Sequence, residues 1–261
     1  MRRLVYCSLM TVAAVALAVG CGSVPPPAHP AASAPSRVAP TSSPAASPSP
    51  SPSPTSAPPP AVLTVGMSGP AVTQLQRRLA ALDYYPGPID GQFGPDTLEA
   101  VWAFQEVQGL SPTGDVGPAM QQALASPHSP AVLVPAGGST RVEVNLADEV
   151  LVLYRGGQVA LISHVSTGGG YYFCSPGGGC GYAITPVGDF LTTVFMPGWV
   201  TVPLGQMYNP VFFIGTAYAI HGDTYVPLQP VSHGCVRIPM DIAQFFHTLV
   251  PVPGTPVYIR G

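Results

Sequence analysis

The chain has 261 residues and few charges: nine basic residues, all arginine, and twelve acidic ones leave a net charge of −3 at neutral pH. So sparse and scattered a set of cations cannot neutralise a run of phosphates, which excludes nucleic acid as a partner. Thirty-four prolines and 29 glycines lie far above ordinary usage and announce linkers and turns beside folded parts, for which the length leaves room for two small domains and an extra segment.

In chain order, Met1-Arg2-Arg3 is a positive start to an apolar run, Leu4 to Val19, which is too short for a convincing membrane-spanning helix. It closes on Ala18-Val19-Gly20-Cys21-Gly22, which resembles a bacterial lipoprotein signal and implies that residues 1–21 direct export and that Cys21 becomes the acylated first residue. Residues 22–61 are almost entirely Pro, Ala and Ser, including four Ser-Pro pairs from Ser47 to Pro54. Such a composition cannot bury a core and stays extended. At about 3.1 Å per residue in polyproline II it would reach on the order of 100 Å, a stalk between a lipid anchor in the membrane and the folded part.

Residues 62–126 change character. Ser68 is placed to cap a helix with Pro70 in its first turn, and Val72, Leu75, Leu79 and Leu82 fall on one face. Asp90-Gly91 forms a turn, a second helix starts near Asp96 with Leu98, Val101, Trp102 and Phe104 as core residues, and a third spans Ala119 to Ala125. Gly66, Val72, Gln74-Leu75-Gln76, Leu79, Ile89-Asp90-Gly91, Phe93-Gly94, Thr97, Val101 and Phe104-Gln105 resemble the peptidoglycan-binding type 1 module. That resemblance implies a three-helix bundle that holds glycan or stem peptide.

After a second linker, 127–140, the pattern alternates. Val142, Val144 and Leu146 point one way, followed by the apolar run Val150 to Tyr154, the turn Gly156-Gly157 and a returning strand from Val159 to Val165. Further strands are expected at Phe190 to Phe195, Val211 to Ile214, Tyr218 to His221, Cys235 to Ile238 and Val257 to Arg260. One helix fits Asp241 to Leu249. Residues 141–261 therefore read as a mainly-β domain, and the chain as an α+β multidomain protein.

Once Cys7 and Cys21 are set aside with the leader, three cysteines remain. Cys174 and Cys180 bracket Ser-Pro-Gly-Gly-Gly, and a disulfide is favoured over a metal pair because no second Cys/His pair stands at ligand spacing. So small a ring stabilises by only about 2 kcal/mol and serves to pin a loop. Cys235 is left as a free thiol within Ser232-His233-Gly234-Cys235-Val236-Arg237, downstream of His221-Gly222. Only about 3% of an ordinary thiol is thiolate at neutral pH, so a nucleophilic cysteine needs a base beside it. Two imidazoles qualify, and spacing does not choose between them.

His-Gly followed by Ser-His-Gly-Cys-Val-Arg, together with Thr185-Pro186-Val187-Gly188-Asp189-Phe190, resembles the L,D-transpeptidase (YkuD) family. The resemblance implies Cys235 as nucleophile, His221 as the base, and Gly222 as the residue whose carbonyl orients His221. His233 then lines the pocket, and backbone N–H groups at Gly234 and Cys235 meet the oxyanion. Ser232, Arg237 and a tyrosine, Tyr208 or Tyr218, are expected to contact substrate. Only ten residues separate His221 from Ser232, a shorter loop than the family usually carries. The implied reaction is acyl transfer between peptidoglycan stem peptides at the wall side of the cytoplasmic membrane, with neither cofactor nor metal. Water or a protein lysine as acceptor would make it an L,D-carboxypeptidase or an anchoring enzyme, and a domain without activity would leave a wall-binding lipoprotein.

Overall fold

The computed structural model describes residues 62–261; the leader, Cys21 and the stalk lie outside the described residues. Three helices come first: α1 (Pro70–Ala80), α2 (Pro95–Val107) and α3 (Pro118–Ala125). Each starts on a proline whose missing N–H would have been unpaired there in any case. The residue capping α1 is Gly69, with no side-chain hydrogen bond, rather than Ser68. Gly69 has φ 121°, a backbone shape that disfavours a side chain. Ser68 instead forms a bridge to Gln92. Buried Gln76 ties the bundle together, donating to Asp90 Oδ1, the Gln92 carbonyl and Thr97 Oγ1, each at 3.1 Å, and accepting from the Gly91 N–H.

The β part contains β1 (Arg141–Asn145), β2 (Val150–Arg155), β3 (Gln158–His164), β4 (Tyr172–Cys174), β5 (Cys180–Tyr182), β6 (Gly188–Leu191), β7 (Trp199–Val202), β8 (Gly205–Ile214), β9 (Tyr218–Gly222), β10 (Val236–Ile238) and β11 (Pro256–Arg260). One sheet has the order β3-β2-β1-β11-β6, a second β10-β9-β8-β7, and β4-β5 stand as a separate hairpin. Val142, Val144, Leu151 and Leu153 of the first sheet share a core with Val211, Phe213, Ile220 and Val236 of the second. The expected helix over Asp241 to Leu249 is broken into α4 (Met240–Ala243) and α5 (Phe246–Leu249). Phe245, between them, leaves the helical conformation and meets Tyr85 of the bundle edge-on, ring centroids 4.9 Å apart.

The unbroken apolar run Val150 to Tyr154 has its cause here. Leu151 and Leu153 face the inter-sheet core, while Val150, Val152, Tyr154 and Ile162 pack against Val72, Leu75, Leu79 and Phe104 of the bundle. A strand buried on both faces has no solvent side to mark with polar residues. The segment between bundle and sheet is also fastened: Glu143, 1% exposed, accepts from the Leu133 N–H at 2.7 Å and pairs with Arg141 at 2.6 Å.

Where α2 meets α4, Asp96, Glu99 and Asp241 bring carboxylate oxygens within 4.8 Å of one another. Burial, with the neighbouring acids adding, raises Glu99 to about 8 and Asp241 to about 7, and raises Asp96 as well. The folded chain therefore keeps protons that the unfolded chain releases. The associated stability is fully present below the ordinary carboxylate range and is lost as pH rises through these raised values. The melting temperature should fall between about pH 5 and about pH 8, and Glu99→Gln, which cannot ionise, should flatten that fall. Thermal unfolding at the two pH values checks it; an undiminished fall in the variant would contradict the assignment.

Candidate active site

Strands β9 and β10 run side by side in parallel, with Val236 opposite Ile220, Arg237 opposite His221 and Ile238 opposite Gly222. Paired residues in a pleated sheet point to one face, as do residues two apart along a strand. Continuing the register back one step sets Cys235 opposite Ala219, on the face that also carries His221 and Arg237. That face opens into a cleft of about 1020 Å³ whose lining includes Cys235, His221, Ser232, His233 and Arg237.

His221 is 4% exposed at the end of an apolar strand, and its Nδ1 lies 2.9 Å from the Gly222 carbonyl. A carbonyl only accepts, so Nδ1 is the protonated nitrogen and Nε2 keeps its lone pair. Only glycine fits at 222: a Cβ would fall 2.5 Å from the Ala243 Cβ and 3.3 Å from the Tyr208 Cβ. Burial lowers the His221 pKa against the pull of the Gly222 hydrogen bond. Enclosure by the cleft walls raises the Cys235 thiol, against a hydrogen bond from the Ala219 backbone and the charge of Arg237. Both shifts favour a resting pair of neutral thiol and neutral imidazole.

Ser232, though it borders the cleft, is 1% exposed and its hydroxyl is engaged within the protein. Its Oγ donates to the Cys235 carbonyl at 2.6 Å and accepts from the Gly234 N–H at 2.9 Å, closing a tight loop. Beside the substrate contact expected of it, Ser232 thus clamps the loop. The same clamp occupies the Gly234 N–H expected to meet an oxyanion. Gly234 itself has φ 129°, and a Cβ there would lie 2.7 Å from both the Ile184 carbonyl oxygen and Tyr218 Cε1.

His233 lies under the small hairpin, its ring edge-on to Tyr171 (5.4 Å) and Phe173 (4.7 Å). Cys174 and Cys180, facing each other across that hairpin, are bridged. The hairpin's stem is joined to the cysteine loop through Gly169 N–H to the Ser232 carbonyl at 3.0 Å and Ser232 N–H to the Thr167 carbonyl at 2.8 Å. Arg237 is engaged within the protein, its Nε 3.3 Å from Asp223 and a terminal nitrogen 3.3 Å from the Tyr225 carbonyl. Of the two tyrosines, Tyr218 lines the cleft. Tyr208 does not: it pairs with Gly222, packs on the inter-sheet core and lies against Trp199.

Sequence reading missed the cleft's apolar wall, made by Trp199, Val200, Leu204 and Met207 of the β7–β8 hairpin. The signal was present, since Val200 and Val202 alternate before the turn at Pro203-Leu204-Gly205. It named Thr185 within a motif without giving it a role; its Oγ1 donates to the Gly234 carbonyl at 2.9 Å and accepts from Gly168 N–H at 2.8 Å.

Residues 68–124 match the family profile described as a putative peptidoglycan binding domain, and residues 139–259 that of the L,D-transpeptidase catalytic domain. A crystal structure of the L,D-transpeptidase from Xylanimonas cellulosilytica DSM 15894 is 34% identical, with a TM-score of 0.72, covering 78% of this chain and all of that one. The zinc D-Ala-D-Ala carboxypeptidase of Streptomyces albus G is 52% identical over 62 residues, 22% of this chain and 23% of that protein. A probable N-acetylmuramoyl-L-alanine amidase of Bacillus licheniformis is 48% identical over 58 residues, 20% of this chain and 16% of its own length. The chain thus spans less than a quarter of the length of these two curated relatives.

Proposed function

Because the chain belongs to the L,D-transpeptidase (YkuD) family, we propose that it forms 3→3 cross-links between peptidoglycan stem peptides through a thioester on Cys235. The observation that carries this reading is the pairing of a free cysteine with a buried histidine of fixed tautomer on one face of adjoining strands. His221 Nε2 takes the thiol proton as Sγ attacks the carbonyl of the third-position diamino acid. The tetrahedral oxyanion is met by the Cys235 N–H, the Gly234 N–H being held by Ser232 Oγ. Collapse breaks the carbonyl–nitrogen bond, and the imidazolium gives its proton to the departing D-Ala amine. The side-chain amine of a second stem then attacks the thioester, loses its proton to His221, and the thiol is restored.

Burial keeps His221 neutral to lower pH than an ordinary imidazole, so the base is available in mildly acidic surroundings. Arg237, tied to Asp223, positions the cleft and offers its remaining donors to a stem carboxylate. The apolar wall excludes water from the thioester, which favours an amine acceptor over hydrolysis. The helical module holds the wall itself, while the leader and Cys21 anchor the protein by lipid on the outer face of the cytoplasmic membrane. Incubating the protein with a disaccharide tetrapeptide and following products by mass spectrometry tests the reading. Cross-linked dimers with release of one D-Ala per dimer are expected; tripeptide monomers alone would make it a carboxypeptidase, and no release of D-Ala would overturn the proposal.

A further inference from the structure

His164, at the end of β3, is a buried polar residue that the reaction above does not use. Its side chain is fully buried, and both ring nitrogens are engaged. Nδ1 lies 2.9 and 3.1 Å from the two carboxylate oxygens of Glu106, and Nε2 lies 3.2 Å from the Pro227 carbonyl. A carbonyl only accepts, so Nε2 carries a proton. The Nδ1–Glu106 contact then holds one further proton between two groups, and the Glu106 side chain, 7% exposed, has little solvent to replace that partner. Burial pushes the Glu106 carboxyl up to about 7, with Glu149 and Asp148 adding like charge and His164 pulling the other way. Trp102 of α2 closes the ring's remaining side, edge-on at 5.5 Å.

The three partners come from three different parts of the chain. Glu106 belongs to α2 of the helical bundle and His164 to the first sheet. Pro227 lies in the segment 223–231, which leaves the His221-Gly222 strand end and returns at Ser232, whose hydroxyl clamps Cys235. Both proposed catalytic side chains thus hang on the ends of one loop, and the His164 ring holds that loop at its middle. We infer that Glu106 and His164 are positioning residues for acylation, through which the wall-binding bundle sets the loop joining His221 to Cys235. The bundle is in this way part of the catalytic apparatus as well as a wall tether. A displacement of the order of 1 Å in a reacting group can lower a rate about 10²-fold, so a hold this close to both groups is consequential.

The inference rests on Cys235 being the acylated residue, and the test separates the two. Acylation of the full chain by a carbapenem is followed by intact mass over a range of concentrations. The variants are Glu106→Gln, His164→Gln, whose amide can still donate to the Pro227 carbonyl, and His164→Leu, which cannot. His164→Leu should lower the limiting acylation rate about tenfold or more with the half-saturating concentration little changed. His164→Gln should recover most of that loss, and Glu106→Gln should slow the limiting rate by a smaller factor. A parent that forms no adduct would refute the mechanism itself. With the parent active, equal rates for His164→Leu and His164→Gln, whether both fast or both slow, would overturn the inference, as would a parent-like Glu106→Gln.

Discussion

Cys235→Ser should retain the fold and lose acyl transfer by about 10³-fold or more. The change is nearly isosteric, and the loop around residue 235 is held by contacts that do not involve the sulfur. Ser232 Oγ bonds the backbone at 234 and 235, Thr185 Oγ1 bonds the Gly234 carbonyl, and Val236 enters the parallel ladder with β9. The chemistry is what fails, because a hydroxyl is far harder to deprotonate than a thiol and His221 is matched to the easier task. The check is terminal D-Ala release by parent and variant at equal concentration, alongside thermal unfolding. Release near the parent rate from a folded Cys235→Ser protein would contradict the cysteine mechanism.

His221→Ala should cost about 10²- to 10⁴-fold in acylation, the usual contribution of a positioned base, and His233→Ala should cost less. The two rings differ in how they are held. The His221 ring is buried on a strand and fixed through Nδ1 to the adjacent carbonyl, which aims Nε2 at a constant direction. His233 is only half-buried, contacts the aromatic rings of the disulfide-bridged hairpin, and has its charged form disfavoured by burial and by Arg237. It shapes the pocket, and its loss would loosen that hairpin. The pH profile adds a second readout: since burial lowers the His221 pKa, the acid limb of the parent's acylation rate should lie below the ordinary imidazole range of about 6.5. Acylation measured by intact mass across that range decides it. A dead His233→Ala protein beside a His221→Ala protein of near-parent rate would reverse the assignment of the base.

The loop around Cys235 was legible in the sequence because its parts are contiguous: serine, histidine, glycine and cysteine within four residues constrain one another locally. The glycines at 222 and 234 are visible in the sequence, but that a Cβ there would strike Ala243, or Ile184 and Tyr218, is seen only in the structure. Ser232 shows the limit of such reading. Its identity was noticed, but only the structure reveals that its hydroxyl donates to the Cys235 carbonyl and accepts from the Gly234 N–H. The union of bundle and sheet was recorded in the run Val150 to Tyr154, yet a continuous apolar strand does not say what covers its second face. The Glu106–His164–Pro227 contact was beyond reach altogether. Its members stand 58 and 63 residues apart, and a histidine at a strand end carries no mark of its partners. The broken helix at 240–249 has a similar origin, since the helical spacing of Ile242 and Phe246 is kept while Phe245 turns out to meet Tyr85.

The proposed reaction turns on a stem peptide being carried on Cys235 as a thioester. The most direct measurement is intact mass of the full chain, quenched in acid shortly after mixing with a tetrapeptide donor and no acceptor, followed by peptide mapping of the adduct. A mass increase equal to the donor acyl group without its terminal D-Ala is expected, located on Cys235, absent from Cys235→Ser and discharged when an amine acceptor is added. D-Ala released with no adduct in the quenched protein, or an adduct mapping to another residue, would contradict the thioester on Cys235.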